Sequence, residues 1–212
     1  RIQPAIENPI RTVRVNCEGT TNILQASRKH NIKKVMYSST SAYYGLKNEA
    51  PQVETMERDC LNPYSVTKVA AEDLCKMYTD LYDLKTVIFR YFNVYGDRQP
   101  TRGQYAPVVG LFQRQRLNEE PMTVVGDGKQ TRDYTNVKDV IRANIMAAEN
   151  DGVGNAEVFN IGYGRNHSIL NLVGLIGGTY KHIPARPGEA RHTLADTSHI
   201  QEKLGWKAEI ML

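Results

Sequence analysis

"KTVIFRYFN", residues 85–93, runs Val87, Ile88 and Phe89 together and follows them with Tyr91 and Phe92. Apolar side chains at successive positions, rather than at every second one, mark a strand that is buried, as parallel sheets require. Immediately upstream, residues 62 to 81 read as a helix: Asn62 can cap its first turn, and Pro63 supplies a pre-set φ at the first helical position. Further upstream, "KKVMYSS" (33–39) is a short β-type run ending in small polar residues. Residues 9–30 carry helical spacing through Val13, Ile23, Leu24 and Ala26. Helix, strand, helix, strand is the pattern of a parallel sheet with crossover helices.

Beyond Gly96 the texture changes. Polar loops are expected at "GDRQPTRGQ" (96–104) and "GDGKQTRD" (126–133), with a helix over 107–118 and a strand over 122–126. The spacing predicts an amphipathic helix over 137–150 and a buried strand over 157–162. A short helix (168–176), a small strand near His182 and a last helix around 198–204 complete the pattern. The fold class expected is α/β, a main sheet with a smaller, loop-rich lobe drawn mostly from residues after 97.

The chain has 212 residues, 41% of them hydrophobic and 24% charged, which suits one large globular domain or one plus a small lobe. A net charge of +4 is mild and suits an anionic small ligand. The densest basic runs, "SRKHNIKK" (27–34) and "RQR" (114–116), lack interleaved aromatics and read as solvated helix faces, so no nucleic acid is expected as partner. Cys17, Cys60 and Cys75 are odd in number and have no CxxC spacing, which favours reduced thiols in a cytoplasmic protein over disulfides or a zinc site. No metal is expected, and no apolar run approaches the roughly 18 residues of a membrane span.

Two stretches carry the chemistry. In "NPYSVTKVAAE" (62–72), Tyr64 and Lys68 are one helical turn apart on one face, beside Val69, Ala70 and Ala71. A phenol is a poor base at neutral pH, and a fixed ammonium beside it favours the phenolate. Alone, the pair equally describes an amphipathic helix whose tyrosine packs and whose lysine snorkels. The second stretch, "SSTSAYYG" (38–45), sets Ser38, Ser39 and Thr40 at the carboxyl edge of the sheet, where open α/β folds bind ligands.

Together with "NCEGTTNIL" (16–24), "RYFNVYG" (90–96), "TRDYTNVKDV" (131–140), "FNIG" (159–162) and "RPGEARHTLAD" (186–196), these motifs resemble the extended short-chain dehydrogenases/reductases. Within them the chain is similar to the NAD-dependent nucleotide-sugar epimerases and dehydratases, and closest in appearance to UDP-glucose and UDP-N-acetylglucosamine 4-epimerases. The resemblance implies a Rossmann-type doubly wound parallel sheet. Residues 1–96 and 133–162 would belong to the NAD-binding domain, and 97–132 with 163–212 to a nucleotide-sugar lobe.

It also implies roles. Thr40 and Tyr64 would bond the sugar 4-hydroxyl, with Tyr64 as base and Lys68 on the nicotinamide ribose. Asn16, Ser38 and the backbone at Tyr91 would contact NAD. Asn93, Arg132 and Arg186 would hold the substrate diphosphate, a task suited to a guanidinium fork. Glu189 would sit near the uridine ribose. For Arg132 the residues alone leave open a turn arginine paired with Asp127 or Asp133, and for Arg186 a plain surface arginine.

Relatives that dehydrate carry Thr-Asp-Glu where this chain reads Thr40-Ser41-Ala42, and UDP-glucuronate decarboxylases carry Thr-Ser-Glu. Without those carboxylates the expected reaction is 4-epimerisation, by oxidation at C4, rotation of the keto sugar and hydride return. Thr193 occupies the place that is small in relatives admitting an N-acetyl group, so UDP-glucose/galactose and the N-acetylated pair are both expected substrates. Another family activity, or a truncated non-catalytic nucleotide-sugar-binding relative, stays open. Family members begin with a glycine-rich GxxGxxG turn that this chain lacks, so it is expected to be part of a longer protein. Helices 12–30 and 63–82 would pair in a homodimer.

Overall fold

The computed structural model describes residues 1–103 and 105–212; Gln104, the last residue of the expected loop 96–104, lies outside them. Two short helices, α1 (Ile2–Glu7) and α2 (Pro9–Val13), lead through a π-helical turn (Arg14–Glu18) into α3 (Gly19–Lys29). Strand β1 (Val35–Thr40) follows, then a 3₁₀ turn (Ser41–Tyr43) and the long helix α4 (Pro63–Tyr82). Strand β2 (Thr86–Tyr91) lies beside β1 in parallel, Ser39 opposite Arg90 and Thr40 opposite Tyr91.

The run at 85–93 does not remain one strand. Phe92 donates its backbone N–H to Ile161, after which β3 (Asn93–Tyr95) leaves the main sheet. It joins β5 (Thr131–Asn136), Asn93 opposite Tyr134. Between them lie α5 (Val108–Leu117) and β4 (Met122–Val125). After β5 come α6 (Val137–Glu149), β6 (Asn155–Ile161), β7 (Asn166–Ser168), α7 (Ile169–Ile176), β8 (Tyr180–Ile183) and α8 (Ser198–Leu204). The sheets are ordered β1-β2-β6, β3-β5-β7 and β4-β8.

Two expectations change. Residues 131–133, read as the end of a loop, open β5, because Thr131, Tyr134 and Thr135 are strand formers that find partners on both sides. Strand β7 was not expected: Asn-His-Ser has no strand signature, and only pairing with β5 makes it one.

Strand β2 lies between β1 and β6 and is buried on both faces. Val87 and Phe89 pack with Phe159, Ile161 and Ala143 of β6 and α6, and with Ile200, Leu204 and Trp206 near the chain end. Ile88 faces the other way, into Leu24, Tyr37, Ala71, Cys75 and Tyr78. That alternation explains the consecutive apolar residues: each face of β2 is covered by helices. A separate cluster of Val109, Phe112, Met122, Val124, Tyr134, Leu172 and Val173 unites α5, β4, β5 and α7. Among the described residues no helix is long and apolar enough to cross a membrane.

Candidate active site

Parallel pairing of β1 and β2 dictates where α4 begins. The helix must start at the carboxyl edge, where β1 ends, and run back to the amino edge, where β2 starts. Tyr64, in the first turn of α4, and Thr40, the last residue of β1, therefore stand at the same edge of the sheet. A reciprocal cap fixes that first turn: Ser65 donates its backbone N–H to Asn62 Oδ1 at 2.9 Å, and Asn62 donates its own to Ser65 Oγ. The Asn62 amide nitrogen reaches the Gly188 carbonyl at 2.8 Å, tying the loop that carries Arg186 and Glu189 to the start of α4.

Tyr64 is half-buried. One turn on, the Lys68 ammonium lies 4.3 Å from the centre of the Tyr37 ring, while the Tyr37 hydroxyl donates to the Lys68 carbonyl. Burial pushes the Lys68 amine below its ordinary value. Among the described residues no carboxylate forms an ion pair with it. The Thr40 hydroxyl accepts the Ala42 N–H at 3.1 Å, which starts the 3₁₀ turn. Its proton and second lone pair have no partner among the described residues.

Arg132, on β5, has a side chain only 13% exposed; it donates to the Thr131 and Arg191 carbonyls and pairs with Glu189 at 3.5 Å. Burial holds it below its ordinary value, with Glu189 opposing that shift. Neither Asp127 nor Asp133 is its partner. Asp127 pairs with Arg191 at 2.6 Å, and buried Asp133 accepts the N–H groups of Tyr163, Gly164 and Ala195. Thr193 is buried and donates its backbone N–H to the Thr131 carbonyl, while its hydroxyl has no partner among the described residues. Asn93 lies on β3 beside Tyr134, two residues from Arg132.

Thr40, Tyr64 and Lys68 thus lie toward one edge of the main sheet, the Asn62–Gly188 contact ties the loop of Glu189 to the start of α4, and Arg132, Asn93 and Thr193 gather on or beside β5, joined to that loop through Glu189. Other residues are placed differently. Arg186 is exposed and makes no hydrogen bond or ion pair among the described residues. The Asn16 amide donates to Thr67 Oγ1 at 2.9 Å. Ser38 is exposed on β1, and the Tyr91 phenol shares hydrogen bonds with Asn144.

Sequence reasoning missed a buried polar network beneath the site. Arg90, on the Ile88 face of β2, meets Glu72 of α4 through a two-pronged contact, Nη2 to Oε2 at 2.8 Å and Nε to Oε1 at 3.2 Å. Burial works against the guanidinium charge, but the hydrogen bonds and charge of Glu72 prevail and hold Arg90 above its ordinary value. The signal was present: an arginine inside an apolar strand must be paired, and Glu72 on an alanine-rich helix face is the matching anion.

A family model, that of the NAD dependent epimerase/dehydratase family, matches residues 2–162. The chain belongs to that family. The UDP-glucose 4-epimerase of Mycolicibacterium smegmatis is 33% identical over 218 residues, which span all of this chain and 69% of that protein. A UDP-N-acetylglucosamine 4-epimerase from Methanobrevibacter ruminantium, solved with UDP-N-acetylmuramic acid, is 33% identical with a TM-score of 0.92 and covers 99% of this chain and 68% of that one. The UDP-glucuronic acid 4-epimerase of Bacillus cereus, solved with UDP-glucuronic acid and NAD, is 33% identical with a TM-score of 0.87, covering 94% and 64%.

The family's cofactor is NAD. The residues present fit a dinucleotide of that kind: a half-buried ammonium with no ion-pair partner among the described residues lies one turn from a phenol at the carboxyl edge of a parallel sheet.

Proposed function

We propose that this chain forms the catalytic and sugar-nucleotide-binding part of an NAD-dependent UDP-sugar 4-epimerase. The observation that carries the reading is the shared edge of Thr40 and Tyr64, with Lys68, which has no ion-pair partner among the described residues, one turn further along α4. Tyr64 takes the proton of the sugar 4-hydroxyl, and Thr40 holds that oxygen through its unspent hydroxyl proton. Lys68 donates to the ribose hydroxyls on the nicotinamide side, and Asn16, Ser38 and the backbone at Tyr91 line the same side. When bound, NAD supplies the hydride acceptor and donor for C4.

Arg132, Arg186 and Asn93 hold the diphosphate while the 4-keto sugar turns over, and Tyr64 returns the proton on the other face. For Arg132 this requires exchanging Glu189 for phosphate oxygens, after which Glu189 is released toward the uridine ribose. Substrates are UDP-glucose/UDP-galactose and the N-acetylated pair, supported by the modest size of Thr193. The exposed apolar residues Val13, Val15, Ile23, Val66 and Leu81 on the outer faces of α2–α4 suit a homodimer, whereas Leu74 and Met77 are turned to the core. Free Cys17, Cys60 and Cys75 support a reducing, cytoplasmic setting.

Incubating the full-length protein and NAD with UDP-glucose, UDP-N-acetylglucosamine and UDP-glucuronate, and reading the products by NMR, tests the assignment. C4-inverted glucose and N-acetylglucosamine products are expected. Exclusive turnover of the uronate would overturn the substrate choice, and no inversion of any sugar would overturn the reaction.

A further inference from the structure

We propose that the buried Glu72–Arg90 pair is a positioning device for the Thr40 hydroxyl, acting through the turn that follows it; the proposal rests on the epimerase reading for what Thr40 does. Arg90 lies opposite Ser39 in the sheet, one register step from Thr40. The edge of its guanidinium engages Glu72, and its Nη1 donates to the Tyr44 hydroxyl at 3.2 Å and the Glu54 carbonyl at 3.1 Å. Its flat face lies 3.3 Å from the centre of the Tyr43 ring. One rigid plane therefore fixes both Tyr43 and Tyr44. On the other side of Thr40, the Ser39 hydroxyl donates to Glu72 Oε1. Thr40 is bracketed, with its predecessor held by the anion and its successors by the cation.

The bracket extends to the neighbouring strand. The Tyr44 hydroxyl donates to Asn160 Oδ1 at 2.6 Å, and the Asn160 amide donates to the carbonyls of Gln52 and Asp196. Stability alone does not call for this arrangement, because well-packed apolar residues commonly replace a buried ion pair without loss. A geometric purpose fits better. The Thr40 hydroxyl keeps its direction only while Ala42 presents its N–H, and Ala42 stays in place only while the turn up to Tyr44 is held. A loosened turn frees the Thr40 side chain to leave its catalytic direction, and small misplacements of reacting groups are expensive in rate.

The test uses the full-length, NAD-loaded protein and two variants that leave no lone buried charge. Tyr43→Leu removes the surface stacked on Arg90, and the double variant Glu72→Leu/Arg90→Met removes both ions. In Tyr43→Leu, amide hydrogen exchange at residues 41–46 should quicken by about tenfold or more while exchange in β2 is unchanged, and in the double variant it should quicken by about tenfold or more beyond the gain that lost global stability gives β2. Turnover of the UDP-sugar substrate should fall about 10- to 100-fold in kcat with KM within about twofold. Tyr43→Phe, which restores the stacking face, should restore both readouts. Unchanged exchange at 41–46, or faster exchange with unchanged kcat, would overturn the proposal. A wild-type protein that turns over no UDP-sugar would instead overturn the epimerase reading, and the exchange measurement would still decide whether the pair holds the turn.

Discussion

Glu72→Gln is the most informative single change for the stability of this fold. The Arg90 and Glu72 side chains are only 4% and 7% exposed, so removing the anion strands a guanidinium that water cannot reach. An uncompensated charge left by breaking a buried pair costs about 3–5 kcal/mol. For a chain of this size each kcal/mol moves Tm by about 2–4 °C, so the expected drop is about 6–20 °C. The exposed pair Lys76–Asp80 makes a comparable contact, 3.0 Å against 2.8 Å, but its side chains are 67% and 53% exposed, and its loss should cost at most about 0.5 kcal/mol. Burial, and not distance, decides between the two. Urea and thermal unfolding of Glu72→Gln, Arg90→Met and the double variant measure the effect. The double variant should recover much of the loss but not all, since the Glu54 carbonyl and the Tyr44 hydroxyl lose the Arg90 donor, at about 1–3 kcal/mol for a buried group left unsatisfied. Single-variant losses below about 1 kcal/mol that simply add in the double variant would refute the description of the pair as buried and coupled.

Tyr64→Phe keeps the ring and removes the phenolic oxygen, so kcat should fall about 10²- to 10⁴-fold while calorimetric affinity for UDP changes little; full activity would place the base elsewhere. Arg132→Met should weaken UDP binding about 10- to 100-fold, from the loss of charge-assisted bonds to phosphate, and unchanged calorimetric affinity would remove Arg132 from the diphosphate site. Gly45→Ala should destabilise the fold: at φ +58 a Cβ would overlap the Asp59 carbonyl oxygen, and a thermal scan identical to wild type would contradict that geometry. Trp206→Ala should cost about 3–5 kcal/mol in urea unfolding, because the ring is 1% exposed in the main core and its Nε1 donates to the Asp139 carbonyl.

Short-range physics is legible in the chain itself. The cap at Asn62, the turn spacing of Tyr64 and Lys68, and the doubly buried run at 86–91 depend on residues a few positions apart, and the parallel pairing of β1 and β2 then puts the phenol and Thr40 at one edge of the sheet. Motif order extended that reading to Arg132, Glu189 and Thr193. Other features depend on partners far apart in the chain. Asn62 and Gly188 are 126 residues apart, Arg132 and Glu189 57, and neither end carries a local mark of the other. Strand β7 exists only because β5 offers it hydrogen bonds, and β3 leaves the main sheet only because β5 is there to receive it. The composition of the run around Arg90 announces that a cation is buried; which anion meets it, and which turn it holds, depends on α4 lying across β1 and β2. Periodicity and caps are properties of neighbouring residues, while pairing between distant groups is a property of the packed chain, and the arrangement around Thr40 belongs to the second kind.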